Sequence, residues 1–372
     1  MELARSAVSE IKKRRQDHDW SQVQLAGRLQ EAAAREGRVL PDAQQLKSTI
    51  SRWENGRACP DWQYQALLER VLGLPAVPSE PNEIPSPPSS LDMTLQQARF
   101  GLDEALDTLR VQVELVRRLD GSLGARAALR QARSLLTDAS ERLTFSVSSA
   151  DRRRVGLLVA DLASLVGWQS LDAGDSHGAW RSFEQAKAAA REAGDAALLA
   201  HAMGEQSFAL LDVGRAGEAA TLVTQARNSF GLPPRLTAWL FAAEAEAFAS
   251  AGDGIAARRC LHSAERTLPA PGDESLTPYL RLDDVNLARW RGHVLTQLRD
   301  DAAAPELLGS MSSVRGKFGR AEAGLLVDLA TIALRRGDRE AGARHIREAE
   351  RVSTLTGSHR QLRRLAALRT AA

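Results

Sequence analysis

Side chains able to do chemistry are spread thinly along these 372 residues, and their spacing excludes more than it offers. The sequence contains no GxxxxGK[ST], GxGxxG, HExxH or GxSxG, so the common phosphate, dinucleotide, zinc and nucleophile motifs are missing. The seven histidines (His18, His177, His201, His262, His293, His345 and His359) include no pair at i, i+3 or i+4 that would chelate a metal. Two cysteines, Cys59 and Cys260, are too few for a disulfide framework or a four-cysteine zinc site. No catalytic residue, cofactor or metal ligand is assigned, and an enzyme is not expected. Two groupings carry more. In LKSTISRWENGRACP, read as a helix, Leu46, Ile50 and Trp53 share one face at i, i+4 and i+7. Lys47, Ser48, Ser51 and Arg52 then form an opposite face rich in hydrogen-bond donors and positive charge. The second grouping is a set of aromatic, charged and imidazole residues that recur along helical segments after residue 150.

The donor face needs a scaffold, and the flanking sequence predicts one. Ser6–Arg15 reads as a first helix ending in KKRR. Ser21 is placed to cap the helix of WSQVQLAGRL. Asn55-Gly56 closes the helix that carries the donor face, and Pro60 prevents its resumption. Tyr64, Leu67, Leu68, Val71 and Leu72 form a last apolar stripe. Four or five short helices with one polar, basic-tipped member are the make-up of a helix-turn-helix module.

The segments WSQVQLA and STISRWENGRACP, in this order, resemble the Cro/cI-type (XRE) helix-turn-helix family over about residues 6–74. In that family the first motif helix crosses the DNA backbone and the second enters the major groove. The resemblance implies a phosphate contact for Gln22 and base-edge contacts for Lys47, Ser48 and Arg52, with Ser51 on the same face. Thr49 and Asn55 would anchor the backbone, Arg57 would meet a phosphate, and Ile50 and Trp53 would be core. Arg and Lys both donate to guanine in the major groove. One departure stands out: Ala26 and Ile50 lie much farther apart in the sequence than the family's usual spacing. The insertion QEAAAREGRVLPDAQQ is expected to lengthen the first motif helix and add a loop at Gly37–Pro41. That loop either lies as a wing along the DNA or bulges into solvent, and Gln44 and Gln45 stay open as further base readers. Cys59, beside the DNA-facing turn, is read as a small thiol packed in the core, or else as a group whose oxidation weakens binding.

Beyond residue 150 the sequence repeats itself. Gly174, Gly214, Gly252 and Gly337 are followed at one constant interval, i+12, by an alanine: Ala186, Ala226, Ala264 and Ala349. Each unit reads as a helical hairpin whose glycine closes the first helix and whose alanine lets the second approach its neighbours. The first two steps between these glycines are similar and the last is more than double, which predicts a degenerate turn at Arg299-Asp300-Asp301. Five hairpins are expected between about 155 and 357, with 358–370 as a capping helix. The pattern resembles the tetratricopeptide repeat (TPR), including Ala179, Phe183 and Ala186, then Ala257, Leu261, Ala264 and Pro269, and Gly167 and Gly292 seven residues before their turns. The period is longer than the family's roughly 34 residues. Such arrays bind on a concave face. The TPR register would point Asp161, Trp168, His201, Phe208, Trp239, Glu246, Asn286, Arg289 and His293 into it. That set suits a peptide or small-molecule groove; the alternative is tryptophans packed between hairpins and polar groups facing water.

Between residues 75 and 90, PAVPSEPNEIPSPPSS holds six of the 14 prolines and reads as a spacer. The expected organisation is therefore an all-α chain: a helix-turn-helix domain (1–74), a Pro/Ser-rich linker (75–91), a helical hairpin (92–150) and TPR-like repeats (151–372). In the hairpin, Leu95, Leu102, Leu109 and Val116 recur every seven residues, with Ala98, Ala105 and Leu119 as a second seam. This is either a dimerising helix or, the reading preferred, a helix packed on its own neighbour at 124–146. Of 49 basic residues five are lysines, leaving 44 arginines, and 47 acids bring the net charge to +2. The chain as a whole is thus no polybasic nucleic-acid coat. No apolar run approaches a membrane span, and MELARSAVSEIKKRR is charged where a signal peptide needs an apolar stretch, so a cytoplasmic protein is expected. The order of the two resemblances matches the peptide-sensing regulators of Gram-positive bacteria. It implies a homodimer that binds a double-stranded, palindromic DNA operator under the control of an effector, with no membrane partner. The alternative is a TPR scaffold that recruits a protein, its front domain unused for specific DNA binding.

Overall fold

The computed structural model describes residues 2–35, 38, 40–55, 57–58, 60, 62–73, 90–229, 231–270, 280 and 282–371, and all regular structure among them is α-helix. The chain divides into two compact units, Met1–Pro87 and Pro88–Ala372. Gly37, Gly56, Cys59 and most of the proline-rich stretch, on which several expectations rest, lie outside the described residues.

The first unit contains α1 (Glu2–Asp17), α2 (Gln22–Arg35), α3 (Ala43–Glu54) and α4 (Trp62–Leu72). Ser21 and Gln24 start α2 with a reciprocal capping box. The Gln24 backbone N–H donates to Ser21 Oγ at 3.2 Å, and the Ser21 N–H donates to the Gln24 side-chain oxygen at 2.7 Å. Asp42 caps α3, its Oδ1 accepting from the backbone N–H groups of Gln44 and Gln45 at 2.9 Å each. The insertion therefore extends α2 to Arg35 and returns the chain to helix at Ala43, which places Gln44 and Gln45 in the first turn of α3. Gln30 Nε2 donates to the Pro41 carbonyl at 2.6 Å, and Leu40 packs on the core, so the chain is tied down where it approaches α3. Leu25, Ala26 and Leu29 of α2, Leu46, Ile50 and Trp53 of α3, and Leu67, Leu68 and Leu72 of α4 are buried together. At about 1.5–3 kcal/mol per large buried side chain, this cluster fixes how α3 is held.

The second unit opens with α5 (Ser90–Arg99), α6 (Leu102–Leu123) and α7 (Ala125–Phe145). Ser90 and Leu91, expected in the linker, are the first residues of α5. Five hairpins follow: α8 (Ser149–Asp172) with α9 (Ser176–Ala193), α10 (Ala196–Asp212) with α11 (Ala216–Arg227), α12 (Pro234–Ser250) with α13 (Gly254–Thr267), α14 (Asp284–Gln297) with α15 (Ala303–Val314), and α16 (Gly319–Arg335) with α17 (Arg339–Thr356). The last helix is α18 (His359–Ala371). The repeat glycines sit in left-handed turns, with φ of 88° at Gly174, 78° at Gly214, 85° at Gly252 and 76° at Gly337. Their paired alanines, Ala186, Ala226, Ala264 and Ala349, are fully buried. In the degenerate turn the same left-handed position is held by Arg299, at φ 60°. A side chain there costs about 1–2 kcal/mol that glycine avoids, part of which glycine returns as unfolded-chain entropy. Arg299→Gly is expected to stabilise the protein by about 0.5–1 kcal/mol, read as a higher urea midpoint at unchanged slope.

The heptad seam of α6 is spent inside the chain. Leu102, Leu109 and Val116 are buried in one core with Leu136 and Ala139 of α7 and Val159 and Leu162 of α8. The end of the array then returns to its beginning. A Cβ on Gly124, in the α6–α7 turn, would lie 2.2 Å from the Thr356 carbonyl oxygen, and one on Gly357 would lie 2.7 Å from Arg126 Cβ. Arg320, at the start of α16, pairs with Asp120 of α6 at 2.5 Å and with Asp172 of α8 at 2.9 Å. As the expected cap, α18 packs on the last hairpin, Leu365 lying in one core with Ala323, Leu326, Ala349 and Val352. What was not expected is that it also reaches back to the early hairpins. Ser358 Oγ donates to Asp172 at 2.6 Å, and Arg360 and Arg363 each reach Asp212 at 2.8 Å. The carboxylates at the ends of α8 and α10 hold Arg360 inward and tie Arg363 at the surface. Among the described residues, no helix is long and apolar enough to cross a membrane.

Candidate functional site

The donor face of α3 is held by a buried charge cluster. Glu54, the last residue of α3, is 8% exposed. Arg15 of α1 grips it with Nε at 2.6 Å and Nη2 at 3.1 Å, and also donates to the Trp20 carbonyl. Gln22 Nε2 donates to the same carboxylate at 2.8 Å. Three helices thus meet at one carboxylate, a bidentate geometry that makes such a pair directional. The KKRR end of α1 is correspondingly split: Lys12 and Lys13 are exposed, Arg14 pairs with Glu10, and Arg15 is internal. Gln22, the expected phosphate contact, gives one of its two amide N–H donors to Glu54.

Outward from this anchor, Gln44, Ser48 and Arg52 are exposed at i, i+4 and i+8, which puts them on one stripe of α3. Gln45 is exposed beside them, and Lys47, Thr49 and Ser51 are half-buried. Two of the expected backbone anchors bond the chain's own backbone: Thr49 Oγ1 donates to the Gln45 carbonyl at 3.1 Å and Asn55 Nδ2 to the Ser51 carbonyl at 2.7 Å. Arg57 is exposed just past the helix. Among the described residues, Arg52, Arg57 and Lys47 carry no carboxylate partner. The surface can offer donors and cationic charge on a rigid helix.

In the second unit, a cavity of about 760 Å³ lies inside the ring of hairpins. Seven of the nine expected groove residues line it: Trp168, Phe208, Trp239, Glu246, Asn286, Arg289 and His293. The other two do not. Asp161 forms an ion pair with Arg117 of α6. His201 is buried behind the wall, its ring 5.2 Å from that of Trp239 and 3.7 Å from Glu205. Burial, reinforced by the charge of Arg117, pushes the His201 pKa down to about 3. Trp290, Arg320, Asp328, Arg335 and, from α18, Arg360, Arg363 and Arg364 also line the cavity and were not anticipated. Trp290 falls between Arg289 and His293, off the face that the repeat register marks as inward. The α18 residues arrive from a helix read as a cap.

The aromatic wall is continuous. The Trp168 and Phe208 centroids lie 5.6 Å apart, Phe208 and Trp290 6.1 Å, and Trp239 and Trp290 5.9 Å, mostly edge to face. Trp290 Nε1 donates to Glu246 at 2.7 Å. The Arg360 guanidinium sits 5.6 Å from the Phe208 ring and 5.9 Å from Trp168. Gly204 makes room for this wall, since a Cβ there would come within 2.4 Å of the Trp239 ring.

Charge around the cavity is largely paired. Asp120 and Asp172 hold Arg320, Asp212 holds Arg360 and Arg363, and Asp328 holds Arg364. His293 sits between Asp328, at 2.9 Å, and Glu246, at 3.5 Å. Burial would lower the His293 pKa, but these two carboxylates outweigh it and raise the value to about 9. Against burial, His293 in turn holds Glu246 and Asp328 down to about 2. Burial, with the nearby charge of Asp161, pushes Glu205 well above the usual carboxylate range. Among the described residues, Arg335 donates only to the Thr296 carbonyl. Arg289 has no hydrogen-bond or ion-pair partner among the described residues, and its Nε is buried. Burial lowers its pKa in spite of the charges of Asp328, Glu246 and Asp283. Cys260 is buried elsewhere, its thiol 3.5 Å from Glu244 and pushed up to about 12 by burial and that carboxylate. Among the described residues, no three His, Cys, Asp or Glu side chains converge to hold a metal ion. No protein-family model matches this chain, and no curated protein is similar to it.

Proposed function

We propose that the chain is a cytoplasmic, sequence-specific DNA-binding regulator. In this reading the first unit is a Cro/cI-type helix-turn-helix domain with α3 as its recognition helix. The second is a TPR-like array that dimerises and holds an effector in its cavity. The observation that carries the reading is the exposed Gln44–Ser48–Arg52 stripe on a helix anchored from behind by Leu46, Ile50, Trp53 and the Arg15–Glu54 pair. A helix that reads base edges needs a fixed angle and exposed donors; α3 is anchored, Gln44 and Arg52 are exposed, and Ser48 is exposed although its hydroxyl donates to the Gln44 carbonyl at 3.1 Å. Lys47, Ser51 and Gln45 flank the stripe. Arg57 takes the phosphate contact, and Gln22 joins it with the amide N–H that Glu54 does not use. The paired resemblances and the aromatic cavity support a sensing role for the array. Val111 and Leu115, one turn apart and exposed on the outer side of α6, offer an apolar dimer contact.

Selection of bound sequences from random duplex DNA by the full-length protein tests this. An enriched palindrome is expected, with half-sites about one helical turn apart. Binding that is weak and indifferent to sequence and salt would refute the reading, because only phosphate contacts release counterions. On the enriched site, Arg52→Ala is expected to relax preference at one base pair by about 1–3 kcal/mol. Arg57→Ala should weaken every sequence alike and lower the salt slope by about one. Both side chains are exposed, so neither change should unfold the domain. Equal losses at every sequence for both variants would remove Arg52 from the base-reading set.

A further inference from the structure

The aromatic cavity has one feature that its internal chemistry does not use. Each ionised carboxylate on its wall already holds an arginine or His293, and Glu205 is pushed toward its neutral form. Arg289, on the same wall, has no partner among the described residues, and Arg335 has only a backbone carbonyl. Six arginines and His293 therefore face six carboxylates, one of which, Glu205, burial pushes toward its neutral form, so positive charge is in excess around a cavity of about 760 Å³. An unpaired guanidinium facing a cavity is costly unless something completes it. The volume is that of a site for a small organic molecule, commonly about 300–1,000 Å³. Trp290 spends its N–H on Glu246, so the wall formed by Trp168, Phe208, Trp239 and Trp290 offers mainly ring surface.

We propose that this cavity binds a small organic anion with a planar apolar body, its acid group on Arg289 and its rings against the tryptophans. This rests on the reading of the cavity as an effector site and names the chemical class of the effector. A carboxylate, sulfonate or phosphate would satisfy Arg289 equally, because a guanidinium fork fits any of these oxygen pairs. Neutral aromatics would leave Arg289 unpaired, and cations would add to the excess.

Two dyes with the same rings separate these cases on the unmodified full-length protein: anilinonaphthalene sulfonate, which is anionic, and phenylnaphthylamine, which lacks the sulfonate. The sulfonate is expected to saturate one site per chain and to bind at least about tenfold more tightly, the worth of one charge-assisted hydrogen bond. Arg289→Met should reduce its affinity by at least the same factor and leave phenylnaphthylamine unchanged. Because the variant loses no hydrogen bond or ion pair among the described residues, its urea midpoint should not fall below that of the wild type. Equal affinities for the two dyes on wild-type protein overturn the proposal without any variant. Sulfonate binding indifferent to Arg289→Met also overturns it, by placing the dye on an outer patch. DNA affinity with and without saturating sulfonate is read separately. An unchanged value would refute the sensing role while leaving the anion site standing, and lost charge dependence would refute the anion site whatever the DNA result.

Discussion

Replacing Arg320 with methionine is expected to cost the second unit about 3–5 kcal/mol, the usual loss when a buried charge is stripped of its partner. Arg320 is the only cation paired with Asp120 among the described residues and also holds Asp172. The two carboxylates are 8% and 2% exposed, while the guanidinium side chain is 18% exposed. Methionine fills similar volume and leaves both carboxylates in place, so the loss reports uncompensated charge and not a cavity. Its effect reaches far along the chain, because Asp120 and Arg320 are 200 residues apart and tie the first helices to the last hairpin. Urea unfolding followed by circular dichroism and by tryptophan fluorescence reads the change. The fluorescence is informative because the Arg320 guanidinium lies 5.5 Å from the Trp168 ring. A loss below about 1 kcal/mol would mean that the pair is solvated and the closure rests on packing alone. Combining Arg320→Met with Asp120→Asn and Asp172→Asn should recover most of the stability, as replaced buried ion networks often do.

That contact changes what kind of array this is. In an open series of hairpins each unit touches only its neighbours, and stability is close to a sum of local terms. Here Arg320, Gly124 and the arginines of α18 join the two ends, so the cavity wall draws on both at once. A molecule seated against Trp168, Arg289 and Arg364 would touch α8, α14 and α18 together. In the proposed regulator, ligand binding and closure of the ring would therefore be linked, and an effector would shift the array by its difference in affinity for closed and opened forms.

The part of this fold set by local spacing was legible in the sequence, and the part set by distant pairing was not. Leu46, Ile50 and Trp53 at i, i+4 and i+7 marked the buried face of α3, and all three are core. The turn at Arg299 could be found without its glycine because the neighbouring repeats fixed the interval. Seven of the nine residues that one helical register pointed inward line the cavity. Arg15 was misread as part of a basic end because its partner, Glu54, is 39 residues away. The segment SHRQLRRLAALRT carries the periodicity of any amphipathic helix, and nothing local says that Arg360 will meet Asp212, 148 residues earlier. Arg320 and Asp328 were missed for the same reason: a charge on a helix reads as solvated until its partner is placed.

His293 should make the stability of the second unit fall at alkaline pH. Its folded-state pKa is about 9, against an ordinary value of 6.5. The folded protein therefore holds this proton more tightly than the unfolded chain. The contribution is present in full below about pH 6.5 and is lost as pH rises through about 9. At 1.36 kcal/mol per pKa unit the difference is about 3 kcal/mol. The groups facing His293 are Glu246 and Asp328, which favour its charged form, and Arg289, Arg360 and Arg364, which oppose it. The same interaction seen from the acids holds Glu246 and Asp328 down to about 2, so it is counted once. The clean measurement is the difference in unfolding free energy between wild type and His293→Gln across pH 6 to 10, which cancels lysine and tyrosine titration common to both. The gap should shrink by about 3 kcal/mol from the acid to the alkaline end, leaving whatever constant difference separates neutral imidazole, with one N–H donor, from glutamine, with two. A gap that stays constant over this range would mean that His293 is neutral in the fold and holds its acids by hydrogen bonds alone. The cavity would then lose one positive charge, and the preference for an anionic ligand would rest on Arg289 and Arg335.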